Sequence, residues 1–519
     1  MIKNPVLTGF HPDPSMIFVE DSFYIANSTF EYFPGVAISS SKDLANWNSI
    51  ESPLNSKDKL DMKGNPKSGG IWAPCLSYYE GIFYLVFTDV KNWAFGPFKD
   101  ALNYVVRSAS IDGPWSEPVF LNCSGFDPSL FHDDNGKKYL VNMEWDYRKQ
   151  GSEQFSGILL TELDSQSLEP IGEAVKIFEG SKKGMVEGPH LYKRDGYYYL
   201  ITAEGGTSYE HAVTVARSKE ITGPYELHPY THLVCTQGDE MSYIQKAGHG
   251  SLCKSSDGRW WIAFLCGRPL ENTKRCPLGR ETAIAEVIWK EGWPYLKDGG
   301  IVPSASFEGY GEKITQKVYS YNFKNDNFKK DFLSLRVPAQ YDILQNGSLR
   351  LYGKESLQSV HEQNILMRRQ TDFNFEAETC VSLPFNHFQQ MAGLLYRYDE
   401  ENQYYLRIAY NEKFNEHTLG ILCFEKGGFT MPLGMKEIPV GEGKVYLRLT
   451  VRGSCGEFSY AKEDLNWIAI PYTIDVSILS DEYASPMGFT GAFVGLACQD
   501  LKSRKCYADF EYFKYEVLD

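Results

Sequence analysis

The chain has 519 residues, 43% hydrophobic and 14% aromatic, with a formal net charge of −15 and 11 cysteines. That length and apolar content support large cores and two domains, while the acidic balance argues against nucleic acid, whose phosphates need a concentrated basic surface. An odd cysteine count without a C-x-x-C pair speaks against a disulfide framework or a zinc ribbon, and no apolar run reaches the roughly 18 residues of a membrane span.

The opening "MIKNPVLTGF" lacks the basic and apolar blocks of a secretory signal, so the expected location is the cytoplasm. Immediately after it comes "FHPDPSMIFVEDSFYIA", in which Asp13 stands between two prolines ahead of a strand-like run. The pattern returns as "APCLSYYEGIFYLVF" from Ala73, "DPSLFHDDNGKKYLVNM" from Asp127, "EGPHLYKRDGYYYLITA" from Glu187 and "HGSLCKSSDGRWWIAF" from His249. The lead residues are separated by 60, 54, 60 and 62 positions, and the aromatic anchors Tyr24, Tyr84, Tyr139, Tyr199 and Trp261 follow them by 11 or 12.

Each copy is a hairpin by its turn chemistry, "EDS", "EGI", "DDNGK", "RDG" or "SDG" between aromatic and β-branched runs. Further strand-like segments such as "GVAISSSKDLANWNSI" complete a unit of four antiparallel strands. A period near 60 residues fits a β-propeller blade; solenoid rungs are shorter and sandwich domains longer. The pattern is absent at "FEGYGEKITQ", so the ring should hold five blades over residues 1–305.

A Gly-, Pro- and Ser-containing connector follows, with the linker expected at 306–320. From 321 to 519 short alternating strands, among them "GSLRLYG", "FNFEAETCVSL", "KVYLRLTVRG" and "ADFEYFKYEVL", read as a β-sandwich. The fold class expected is therefore all-β, a propeller followed by a sandwich.

In a propeller the first strand of each blade lines the axis, so Asp13, Asp127 and Glu187 should gather at one opening, with Ala73 and His249 at the same ring position. One such acid would read as a turn cap. Three matched carboxylates repel one another and imply a use: a metal site, or acid/base chemistry with one carboxyl held protonated. Phe30 and Phe33 in "STFEYFPG", Trp72 in "GGIWAPC", Trp145 in "NMEWD" and Thr207 in "AEGGTSYEH" suit a sugar, apolar on its faces and hydrogen-bonding at its edges. Most aromatics must nonetheless be blade core, and Cys75 reads as packing.

The motifs "NPVLTGFHPDPS", "STFEYFPGV", "GGIWAPCL", "GFDPSLF", "VEGPHLY", "AEGGTSYEH", "GHGSL" and "PLGRETAIAEV" resemble those of the β-xylosidases of glycoside hydrolase family 43, and the likeness continues into "FTGAFVGLACQDL". The resemblance implies a five-bladed propeller and inverting hydrolysis, with Asp13 as general base, Glu187 as general acid and Asp127 tuning and orienting the acid. It places Phe30, Trp72, Ala73, Trp145, Thr207, His249 and Arg280 around the sugar. It also implies a concanavalin-like sandwich that closes the pocket through Phe493.

A closed pocket implies removal of single xyloses from the non-reducing ends of short β-1,4-xylo-oligosaccharides such as xylobiose. The resemblance requires no catalytic metal, leaves room for a calcium ion on the propeller axis near His249, and implies a homotetramer with no membrane or nucleic-acid partner. Two rival readings stand: an α-L-arabinofuranosidase, which uses the same acids, and a noncatalytic glycan-binding propeller, which the presence of all three acids disfavours.

Overall fold

The structure is a computed structural model, and it describes every residue except Phe95, Met435, Ser485 and Pro486. Five four-stranded antiparallel sheets make up the N-terminal part, each built from strands in chain order, the first passing over the short strand Tyr32–Phe33. Their first strands are Ser15–Val19, Gly70–Tyr79, Ser129–His132, Glu187–Arg194 and Gln245–Lys254. Each of these packs against the next, and the fifth packs against the first, which closes the ring.

Local chemistry sets the hairpins. At Glu80-Gly81, Asp195-Gly196 and Glu291-Gly292 both turn residues have positive φ, the type I′ geometry whose twist matches that of the flanking strands. The gaps between blades are filled by apolar residues of facing sheets, for example Tyr199, Ile201 and Val213 of the fourth blade against Ile262, Phe264 and Ala283 of the fifth. The N-terminal segment ties the closure. Ile2–Lys3 pairs with Ser306–Phe307, Leu7 bridges Thr282, and the His11 amide donates to the Arg280 carbonyl at 2.9 Å.

The ring of equivalent positions differs by one residue from its sequence register. Asp13, Ala73, Asp127 and His249 all have left-handed backbone, with φ between 36° and 55°, and the fourth member is Gly188 at φ 55° rather than Glu187. Pairing slips around Ala73, Gly188 and His249, as expected where a strand carries a bulge. Glu187 therefore enters the ring one residue early, with Gly188 absorbing the turn that the other blades assign to their lead residue.

The C-terminal part is a two-sheet sandwich whose core includes Phe375, Leu406, Leu449, Phe458, Val494 and Phe513. Its first strand, Val318–Tyr321, pairs with its last, Tyr507–Val517. One of its sheets recruits a two-residue strand from the propeller, Tyr32–Phe33, which pairs with Phe332–Leu335. Buried polar contacts reinforce this junction. The Arg336 amide donates to the Glu31 carbonyl at 2.8 Å, its Nε donates to the Asn65 carbonyl at 2.6 Å, and its guanidinium pairs with Glu400 at 2.8 Å.

Candidate active site

At one end of the propeller axis lies a cavity of about 260 Å³ lined by Asp13, Asp127 and Glu187. Phe30, Trp72, Trp145, Thr207, His249 and Arg280 also line it, and Met487 and Phe489 of the sandwich complete its wall. A larger hollow of about 1190 Å³ near Tyr243, Arg268, Phe373 and Arg452 holds none of the three acids. Convergent buried carboxylates, not size, pick out the smaller one.

Asp13 is buried and bonded through both oxygens. Oδ2 accepts from Ser28 Oγ at 2.6 Å and Oδ1 accepts from Arg280 Nη1 at 2.9 Å, with His249 Nδ1 at 3.9 Å. Ser28 Oγ in turn accepts from the Ala73 amide at 2.7 Å, so the first and second blades jointly fix the carboxylate. Arg280 is itself buried; Nη1 also donates to Thr207 Oγ1 at 3.1 Å and Nη2 to the Phe489 carbonyl at 2.9 Å.

Asp127 Oδ2 accepts from the Gly188 amide at 3.0 Å, which ties it to the backbone beside Glu187. Burial, then the charge of Asp13, pushes the Asp127 carboxyl up to about 8. Burial, then Asp127 and Asp13, holds Glu187 well above the usual carboxylate range, opposed by Arg280 and Lys99. The site thus contains one carboxylate paired with a guanidinium and two whose surroundings favour the protonated form.

Two expected substrate contacts move. Phe493 is fully buried and stacked on Tyr32 at a centroid distance of 3.9 Å, so it belongs to the core beneath the cavity. The aromatic that the sandwich presents to the cavity is Phe489, stacked against Phe30 at 6.0 Å. Ala73 does not line the cavity and acts through its amide on Ser28.

Other lining residues escaped the sequence reading. Trp93, Lys99 and Phe126 join the wall, and Lys99 Nζ donates to the Trp93 carbonyl at 2.9 Å while lying 4.1 Å from the Trp145 ring centre. Burial lowers the Lys99 pKa to about 8 against the pull of Glu187. The signal was present in "KNWAFGPFKD", an aromatic cluster in a Gly/Pro loop, but it has no counterpart in the other repeats.

Comparison with known proteins decides the family. The model for glycosyl hydrolases family 43 matches residues 2–294, and that for the beta xylosidase C-terminal concanavalin A-like domain matches residues 320–516. The chain belongs to glycoside hydrolase family 43. It is 45% identical to xylosidase/arabinosidase 43B of Humicola insolens, over all of this chain and 98% of that protein, and 42% identical to a beta-xylosidase of Bacillus subtilis, over 99% of both. The crystal structure of a xylan beta-1,4-xylosidase from Bacillus halodurans, 47% identical, superposes with a TM-score of 0.96 over 99% of this chain and all of that one.

The protein is therefore a glycosidase, and its substrate is a carbohydrate. Inverting glycoside hydrolysis pairs an ionised carboxylate with a protonated carboxyl, and the cavity brings together one carboxylate bonded to a guanidinium and two carboxyls whose surroundings favour the protonated form. Calcium takes six to eight oxygen ligands, about 2.3–2.6 Å away. The groups within electrostatic reach of His249 are Asp13, whose Oδ1 is 3.9 Å from Nδ1, Arg280, and the imidazoles of His190 and His211. Among the described residues no group of three or more His, Cys, Asp or Glu is placed to hold a metal ion.

Proposed function

We propose that the enzyme is an exo-acting, inverting β-xylosidase that removes xylose from the non-reducing ends of short β-1,4-xylo-oligosaccharides. The observation that carries the reading is the cavity itself, about 260 Å³, with Arg280-paired Asp13 and proton-favouring Glu187 on its wall and Phe489 across from Phe30. Its volume falls just below the roughly 300–1,000 Å³ of ordinary small-molecule sites, which suits a chain end better than a long polysaccharide.

In this reading the ring faces of the sugar pack on Phe30 and Trp72 while Arg280 and Thr207 meet its hydroxyls. Asp13 takes a proton from water as the water oxygen bonds to the anomeric carbon. Glu187 gives its proton to the glycosidic oxygen as the carbon–oxygen bond breaks, and xylose leaves with inverted configuration. Asp127, held by the Gly188 amide, keeps the Glu187 proton in place between turnovers.

Proton NMR of xylobiose hydrolysis tests the reading: α-xylose should appear first. β-Xylose first would overturn the inverting assignment. The name of the Humicola insolens relative favours a second activity on α-L-arabinofuranosides, which competing turnover of the two aryl glycosides would rank.

A further inference from the structure

Three aromatic walls of the cavity are held by two consecutive backbone positions. Trp93 Nε1 donates to the Lys67 carbonyl and Trp72 Nε1 to the Ser68 carbonyl, each at 2.9 Å. Ser68 Oγ accepts from the Phe489 amide at 3.1 Å. The Phe489 ring then meets Phe30, Trp72 and Trp93 at centroid distances of 6.0, 5.6 and 5.5 Å, and its carbonyl accepts from Arg280.

The same two residues are anchored in turn, Ser68 within the propeller and Lys67 across the domain junction. The Ser68 amide donates to Glu31 Oε2 at 3.0 Å, and Lys67 Nζ pairs with Glu401 at 2.5 Å and Asp399 at 3.6 Å, both in the sandwich. Ser68 is 2% exposed, and its φ of 57° lies in the left-handed region that favours glycine. Gly69 and Gly70 follow it directly, and Gly70 has φ 81°. A serine at a glycine-favouring position, its hydroxyl spent on the Phe489 amide, implies that the hydroxyl matters to the fit of the sandwich loop.

We propose that Ser68 is a positioning residue, which sets Phe489 against the tryptophans and, through the Phe489 carbonyl, sets Arg280 against Asp13. It does not touch the sugar. It makes the shape of the sugar site depend on the docking of the sandwich. The proposal rests on the cavity being the catalytic site.

The test is steady-state kinetics of Ser68→Gly on 4-nitrophenyl β-D-xyloside, with thermal melting measured alongside. Glycine suits the left-handed backbone but removes the whole hydroxymethyl group, whereas alanine removes the hydroxyl alone. KM should rise about tenfold with kcat reduced less than threefold, and Ser68→Ala should follow the same split. In a Phe489→Ala background the Ser68→Gly change should add about threefold or less, because the ring it positions is gone and only the backbone carbonyl on Arg280 remains.

Parent-like KM in both Ser68 variants, independent multiplication of the two effects, or failure of both variants to fold would assign Ser68 to the fold alone and overturn the proposal. An inactive parent protein would instead sink the reading of the cavity.

Discussion

Arg280 and Phe489 lie 209 residues apart, yet the Arg280 Nη2 donates to the Phe489 backbone carbonyl at 2.9 Å, so the sandwich orients a propeller guanidinium. The other terminal nitrogen serves Asp13 and Thr207 together. A lysine could keep the charge but has no planar fork to reach both sides. Each lost charge-assisted hydrogen bond costs about 1.5–3 kcal/mol. Arg280→Lys should therefore lower kcat/KM on an aryl xyloside by about 100-fold or more, and a drop smaller than threefold would refute the bridging role.

The pH profile should carry the signature of the acid. Glu187 works protonated and is held above the usual carboxylate range by burial and by its two acidic neighbours. Activity should accordingly fall as pH rises through that elevated value, giving an alkaline limb. Asp127→Asn removes the group whose ionisation, as pH rises toward about 8, opposes that of Glu187, so the limb should move to lower pH while kcat drops by about 100-fold or more. An unmoved limb in that variant would disconnect Asp127 from the Glu187 proton.

Stability should run with the same sign. The Asp127 carboxyl sits at about 8 when folded, against about 3.9 for an unperturbed aspartate. The protonated form is the one the fold favours, so this contribution is complete below about 4 and is lost as pH rises through about 8. Asp127→Asn, which cannot ionise, should melt at least about 2 °C above the parent at pH 8–9 and differ little at pH 5. Calorimetry at both values checks this, and a variant less stable at the higher pH would contradict it.

The propeller was legible because its information is local. Glu80-Gly81 and Asp195-Gly196 specify hairpins by their own backbone preferences, and five repetitions expose the period. Asp13 and Asp127 could be placed for the same reason, whereas Gly188 hid a one-residue offset because a bulge leaves the strand pattern intact. Phe489 was illegible. Its place depends on the Tyr32–Phe33 strand joining the sandwich sheet and on Ser68, contacts between segments hundreds of residues apart. No periodic signal marks Phe489, and the family resemblance points instead to Phe493, which the structure buries.

That pair can be separated experimentally. Phe493 is fully enclosed against Tyr32 and Phe10, so Phe493→Ala should cost about 3–5 kcal/mol of stability, as large cavities do. Phe489→Ala should leave the melting temperature nearly unchanged and raise KM. Parallel melting and kinetics on both variants decide the matter, and the reverse pattern would exchange their roles.

Removing the sandwich is the most demanding case. A chain ending at residue 317 would expose the Tyr32–Phe33 edge, uncover the apolar surface that Leu335, Met367 and Phe493 bury, and leave Arg280 without the Phe489 carbonyl. An open strand edge beside uncovered apolar surface promotes aggregation, so low soluble yield is expected. Any soluble fraction should retain less than about 1% of parental kcat/KM, since it lacks both the Arg280 bond and the Phe489 wall. Coexpression of residues 318–519 should restore part of that activity by re-forming the Phe332–Leu335 pairing in trans. A truncated propeller with parental kinetics would show that its five blades alone shape the site, and would remove the sandwich from the account of catalysis.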